Sequence, residues 1–174
     1  ASQRGAVQDN IEDGDAAGEA AWAKLGQQAY DLNVQQYCAA GLNFGYYYDH
    51  SPIIDHASAG GETAPGYTMA DYTPSTVPGC RLPHMWLGNG RSLYDALGPE
   101  YTLLRCDVDI DVSPLLDSAS VQGVPLSLLD LPHGSFDHPL LISRPDQHIA
   151  WRGMTLPTTP TALANILMGA SSKT

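Results

Sequence analysis

Apolar residues recur at steps of three and four from Trp22 through Leu25 and Ala29 to Leu32, with Lys24, Gln27, Gln28, Asp31 and Gln35 between them. That spacing predicts an amphipathic helix from Glu19 to near Gly41, its apolar stripe turned toward a core. The period then shortens. Leu42 to Asp49 is aromatic enough for a strand, with Tyr46 and Tyr48 on one face and Tyr47 on the other, so that both faces need cover. Residues 57–68 read as a loop.

Beyond Pro78, Asn89-Gly90 is a two-residue turn signal that should pair Met85–Leu87 with residues near Arg91–Leu93. Ser92 is placed to cap a short helix through Leu97, stopped by Gly98-Pro99. Strands are expected at Tyr101–Cys106 and Val124–Leu129, on either side of a helix over Val112–Ala119 with Ser113 as cap and Pro114 in its first turn. A hairpin over Leu140–Arg152 should turn at Arg144-Pro145-Asp146-Gln147, because Pro145 pre-sets the first turn position. A last helix runs from Thr159-Pro160 to Gly169, and Trp151 is expected to pack beneath it. The order strand, helix, strand, hairpin, helix predicts an α/β sandwich with a mixed sheet.

With 174 residues, 43% of them hydrophobic and only 16% charged, the chain fits one domain with an appendage. Low surface charge suggests a covered face. The formal net charge of -11 repels phosphate backbones and anionic lipid, which argues against nucleic acid as a partner. No run reaches the length of a membrane span, so no membrane partner is expected. Residues 1–18 are polar and acidic, read as a loosely ordered lead-in, and the start without Met or signal peptide suggests a processed chain or an excised fragment. Cys38, Cys80 and Cys106 are far apart and odd in number, which fits a reducing, cytoplasmic setting.

Candidate chemistry is thin. Asp49-His50 and Asp55-His56 repeat an Asp-His pair, and His133, Asp137 and His138 share one loop, but none has a metal-ligand spacing; ordinary loop residues are the stronger reading. Cys80 with His84 is a conceivable nucleophile and base, against which stands the plainer role of cysteine as a small core residue. There is no G-x-S-x-G, no G-x-G-x-x-G after a strand and no phosphate-binding loop. On this reading the chain holds no catalytic, cofactor-binding or metal residues of its own.

Four blocks carry a resemblance. Asn43-Phe44-Gly45-Tyr46-Tyr47-Tyr48-Asp49-His50-Ser51-Pro52-Ile53-Ile54 is the first, Thr73 through Pro78-Gly79-Cys80-Arg81-Leu82-Pro83-His84-Met85-Trp86-Leu87 the second, Gly90-Arg91-Ser92-Leu93-Tyr94-Asp95-Ala96-Leu97-Gly98 the third, and Arg144-Pro145-Asp146-Gln147-His148-Ile149-Ala150-Trp151-Arg152 the fourth. In order and in register, over roughly residues 20–169, they resemble the C-terminal part of FAD-dependent aromatic-ring hydroxylases of the phenol hydroxylase type.

The resemblance implies a thioredoxin-like C-terminal domain over 78–174. It makes residues 1–77, with the acidic lead-in, helix and tyrosine strand, the tail of a preceding flavoprotein body. It implies FAD and NAD(P)H for the parent enzyme, with the flavin-binding motifs upstream of this chain. The partners it implies are the flavin and substrate domains of the same protein, with a homodimer contact as a further expectation. The chain's own role would then be structural. Without C-x-x-C, dithiol exchange is not expected. The alternative is a standalone thioredoxin-like binding or scaffold module, since fold does not fix function.

Overall fold

The computed structural model describes residues 7–170; the first six residues of the acidic lead-in lie outside the described residues. Helix α1 spans Ala16–Tyr37, and Asp15 caps it by accepting from the amides of Ala17 and Gly18 at 3.0 and 2.8 Å. It starts three residues before the expected position and ends four before Gly41. A turn of π-helix follows at Gly41–Gly45, and a 3-10 turn at His56–Ala59.

The second half holds α2 (Leu93–Ala96), β1 (Tyr101–Arg105), α3 (Ser113–Gln122), β2 (Leu126–Asp130), β3 (Leu140–Ser143), β4 (Ile149–Gly153) and α4 (Pro160–Leu167). The four strands form one mixed sheet in the order β2-β1-β3-β4. β1 is parallel to β2, with α3 as the crossover, while β3 is antiparallel to both β1 and β4. This is the expected α/β, thioredoxin-like mixed sheet with its helices. The Asn89-Gly90 hairpin is present in small form, a single bridge from Trp86 to Ser92.

Strand alternation sorts the core into two layers. Leu103, Leu140 and Ile142 face α3 and α4, where Leu115, Ala119, Leu163, Ala164 and Leu167 meet Trp151. Trp151 thus packs with the last helix, as expected. Leu104, Leu141 and Ile149 face the other way, onto Leu82, Leu93, Cys106 and Leu131. Opposite Ile142 and Ser143, β4 holds one extra residue, Ala150. The bulge breaks the alternation and turns both Ala150 and Trp151 toward the helical side.

Two expectations are corrected. The Leu42–Asp49 stretch is not a strand of the sheet: its first half coils as the π-helical turn, and only Tyr47 bridges, to Cys80. The sheet's β4 edge is already paired with residues 79–82, through Gly79 N to Ile149 O (2.8 Å), Ile149 N to Cys80 O (2.9 Å) and Leu82 N to Gln147 O (2.8 Å). The apolar stripe of α1 is also not core-facing: Trp22 is 61% exposed, and Leu32 is exposed with it.

Candidate functional site

The hairpin turn between β3 and β4 is built by Arg144 to His148. Gln147 N donates to Arg144 O at 2.9 Å and Arg144 N to His148 O at 2.8 Å, with Pro145 in the fixed-φ position. Gln147 takes φ 66°, a left-handed conformation in which glycine is the usual residue. Its side chain explains the choice, because Gln147 Oε1 accepts from the Arg81 guanidinium.

Arg81 is the hub of this end of the molecule. Its guanidinium lies over Phe44 at 5.4 Å and over Tyr94 at 5.5 Å, and its backbone bridges to His148. Each ring face offers the cation electron density while the fork stays free to donate in its own plane. Arg144 lies 4.6 Å over Tyr48, and Asp146 accepts from both Arg144 Nη2 (2.9 Å) and Tyr48 OH (3.2 Å). Tyr94 OH donates to Leu82 O. All four blocks quoted above therefore meet here: Phe44, Tyr46 and Tyr48 from the first, Arg81 from the second, Tyr94 from the third, and Arg144 to His148 from the fourth. Nothing in their separations along the chain announces this convergence.

Glycine at 79 makes the docking possible. Its φ is +98°, and a Cβ there would collide with the Tyr48 carbonyl oxygen, while Tyr48 N donates to Gly79 O at 3.0 Å. Further along β4, Arg152 is only 4% exposed and fixes the preceding loops. It donates to Thr76 Oγ1 at 3.0 Å and Ala59 O at 3.1 Å, and pairs with Glu62 at 2.7 Å. Glu62, His56, Tyr47 and Tyr48 border a cleft of about 290 Å³ floored by Val77 and Pro78.

The sequence-level candidates are dispersed. Asp49 and His50 are exposed and 3.9 Å apart. His56 Nε2 accepts from Ser51 N at 3.3 Å, and burial followed by the charge of His50 lowers its pKa. His138 is lowered by burial and then by Arg152, while His133 and Asp137 stay exposed. Among the described residues no group of three or more His, Cys, Asp or Glu is placed to hold a metal ion.

Cys80 and His84 engage different neighbours. Cys80 is buried, and burial raises its thiol pKa, against smaller opposing effects of Ser75 and Arg152. His84 contacts Ser92 Oγ at 2.9 Å and packs against Trp86 and Tyr94. Burial likewise raises the thiol pKa of Cys106, so burial disfavours the thiolate, the nucleophilic form, at both buried cysteines. All three cysteines are free.

What the molecule leaves uncovered is unevenly placed. Trp22, Tyr30, Leu32 and Tyr37 on α1 are exposed, and so are Leu42, Phe44, Tyr46, Tyr67, Met69 and Tyr72 around the π-helical turn. Phe44 packs on Tyr72 at 5.8 Å and Tyr47 on Tyr67 at 6.4 Å, so the second group is one aromatic surface. In the sheet-bearing half Trp86, Val108, Val121, Leu128, Met154 and Met168 are exposed.

No family model matches the chain. It is 29% identical to phenol 2-monooxygenase of Pseudomonas sp. (strain EST1001), covering 84% of this chain and 27% of that protein. It is 26% identical to the FAD-dependent monooxygenase opdD of Penicillium oxalicum, over 82% of this chain and 28% of that protein. Substrate-free RebC, a rebeccamycin biosynthetic enzyme, superposes with a TM-score of 0.70 at 25% identity, over 95% of this chain and 30% of that one. The chain resembles the C-terminal region of the FAD-dependent aromatic-ring hydroxylases. The flavin-dependent monooxygenase PieE shares the fold, with a TM-score of 0.63 at 23% identity. Throughout, the chain spans less than a third of the length of the relatives it matches. Among the described residues no helix is long and apolar enough to cross a membrane.

Proposed function

We propose that this chain is the C-terminal part of an FAD- and NAD(P)H-dependent monooxygenase that hydroxylates an aromatic substrate, working in a reducing, cytoplasmic setting. Residues 78–174 form its thioredoxin-like domain, and residues 1–77 are the tail of the flavoprotein body that precedes it. The observation that carries this reading is clustered apolar exposure: Trp22, Tyr30, Leu32 and Tyr37 on α1 and the aromatic surface around Phe44 lack a cover among the described residues. Clustered apolar exposure of this kind marks an interface, and the relatives' additional length supplies a polypeptide to fill it.

The role of the chain is then structural. The Arg81 hub ties the aromatic segment to the hairpin, so the domain is held against the flavin and substrate domains through α1 and Phe44–Tyr48. The same aromatic surface supports contact between two copies of the parent. FAD is held by the upstream domains, whose glycine-rich motif this chain does not carry.

The test is to purify the longest polypeptide that contains this sequence alongside residues 1–174 alone. The longer protein is expected to be yellow with bound flavin and to oxidise NAD(P)H in the presence of a phenolic compound, and the shorter one to be colourless. A full-length product without flavin would favour the standalone module.

A further inference from the structure

His148 lies where the aromatic segment meets the hairpin, and it is only 5% exposed. Its ring packs edge-on against Tyr48 at 4.8 Å and Tyr46 at 5.6 Å. Nδ1 is 3.0 Å from Asp146 O, and a carbonyl only accepts, so the neutral ring carries its proton on Nδ1. Nε2 is then a bare acceptor, buried and without a hydrogen-bond partner among the described residues.

The charges around the ring can be named from each element packed on it. Arg144 and Asp146 come from its own turn, Arg81 from the paired 79–82 segment, and the phenols of Tyr46 and Tyr48 from the aromatic segment. Asp146 is the one carboxylate among them, and it already serves Arg144, Tyr48 OH and the His148 amide, the last at 3.3 Å. Asp146 Oδ1 also lies 3.5 Å from His148 Nδ1, so a protonated ring would have to share a carboxylate that already serves Arg144 and Tyr48.

We propose that His148 is an acid-release latch: neutral, it seats Tyr46 and Tyr48 on the hairpin, and protonation expels them, freeing the Phe44–Tyr48 segment from the Arg81 hub. Protonation adds a third cation beside Arg81 and Arg144 and creates a buried N–H at Nε2 with no acceptor. Opening the segment lets water reach both. Burial lowers the pKa of His148 from the ordinary value; Asp146 opposes it through its charge and its carbonyl, and Arg81 and Arg144 add smaller effects in the lowering sense. The closed form therefore resists protonation, and between the closed and open pKa values the opening equilibrium gains up to about tenfold per pH unit. The latch depends only on contacts within this chain, so it stands or falls separately from the flavoprotein reading.

The experiment is amide hydrogen exchange on residues 1–174, corrected for intrinsic rates, from about pH 8 to about pH 5, with the His148 ring followed by NMR. Protection of the Tyr48 amide, which donates to Gly79 O, is expected to fall by up to about tenfold per pH unit below the ordinary histidine range, in step with the imidazole titration. In His148→Gln that slope should vanish, whereas His50→Gln, altered at an exposed site, should keep it. Protection independent of pH, or a slope that persists in His148→Gln, overturns the proposal. Should His148→Gln fail to fold, the wild-type ring decides: titration without loss of Tyr48 protection overturns the latch.

Discussion

Arg81 shows how much one side chain can organise when its planar group is used on every side. Phe44 and Tyr94 cover its faces, and Gln147 takes one of its donors. A lysine in its place would keep the charge but lose the stacked plane and the fork. Arg81→Lys should cost about 1–2 kcal/mol of stability in chemical denaturation, from one charge-assisted hydrogen bond and two cation–aromatic contacts. Arg81→Met, which leaves Gln147 facing an apolar chain, should cost more and loosen the aromatic segment. Nothing in the sequence pattern singles out Arg81, because hydrophobic period carries no information about an arginine's partners 66 residues away. Cys80, conceivable from sequence as a nucleophile with His84, is instead a buried residue whose thiol pKa burial raises.

Local signals predicted the elements well where the chain supplies its own cover, except that Val112 and not Ser113 is the N-cap of α3, with no side-chain cap bond. Pro145 set the hairpin turn, Ser92 accepts from Tyr94 N at 3.2 Å as a cap should, and Pro160 opens α4. Two elements were misjudged for a common reason. The α1 period was read as core-facing and Leu42–Asp49 as a sheet strand, since both patterns state that a face needs burial but not what buries it. Among the described residues nothing covers Trp22, Tyr30 or Leu32 of α1, and the β4 edge is taken by residues 79–82 instead of the tyrosines. That edge depends on Gly79 at φ +98°, with the Tyr48 carbonyl oxygen in collision range of where a Cβ would sit. Gly79→Ala should destabilise the chain by roughly 3 kcal/mol, combining left-handed strain with a backbone collision. Hydrogen exchange should show the loss concentrated at residues 46–48 and 79–82, with β1 and β3 less affected.

At the scale of the whole molecule, a well-filled sheet domain carries an N-terminal part in which several large apolar side chains face outward. Composition pointed this way through the low charge fraction, but only the structure locates the open faces at α1 and around Phe44. The chain spans under a third of its relatives' length, and the function proposed above has the remaining length cover those faces. The most direct check is hydrogen exchange of the α1 peptide, residues 16–37, in the full-length protein against residues 1–174 alone. Burial of Trp22, Tyr30 and Leu32 by the flavoprotein body requires α1 to exchange markedly more slowly in the full-length protein; equal exchange in the two would contradict it.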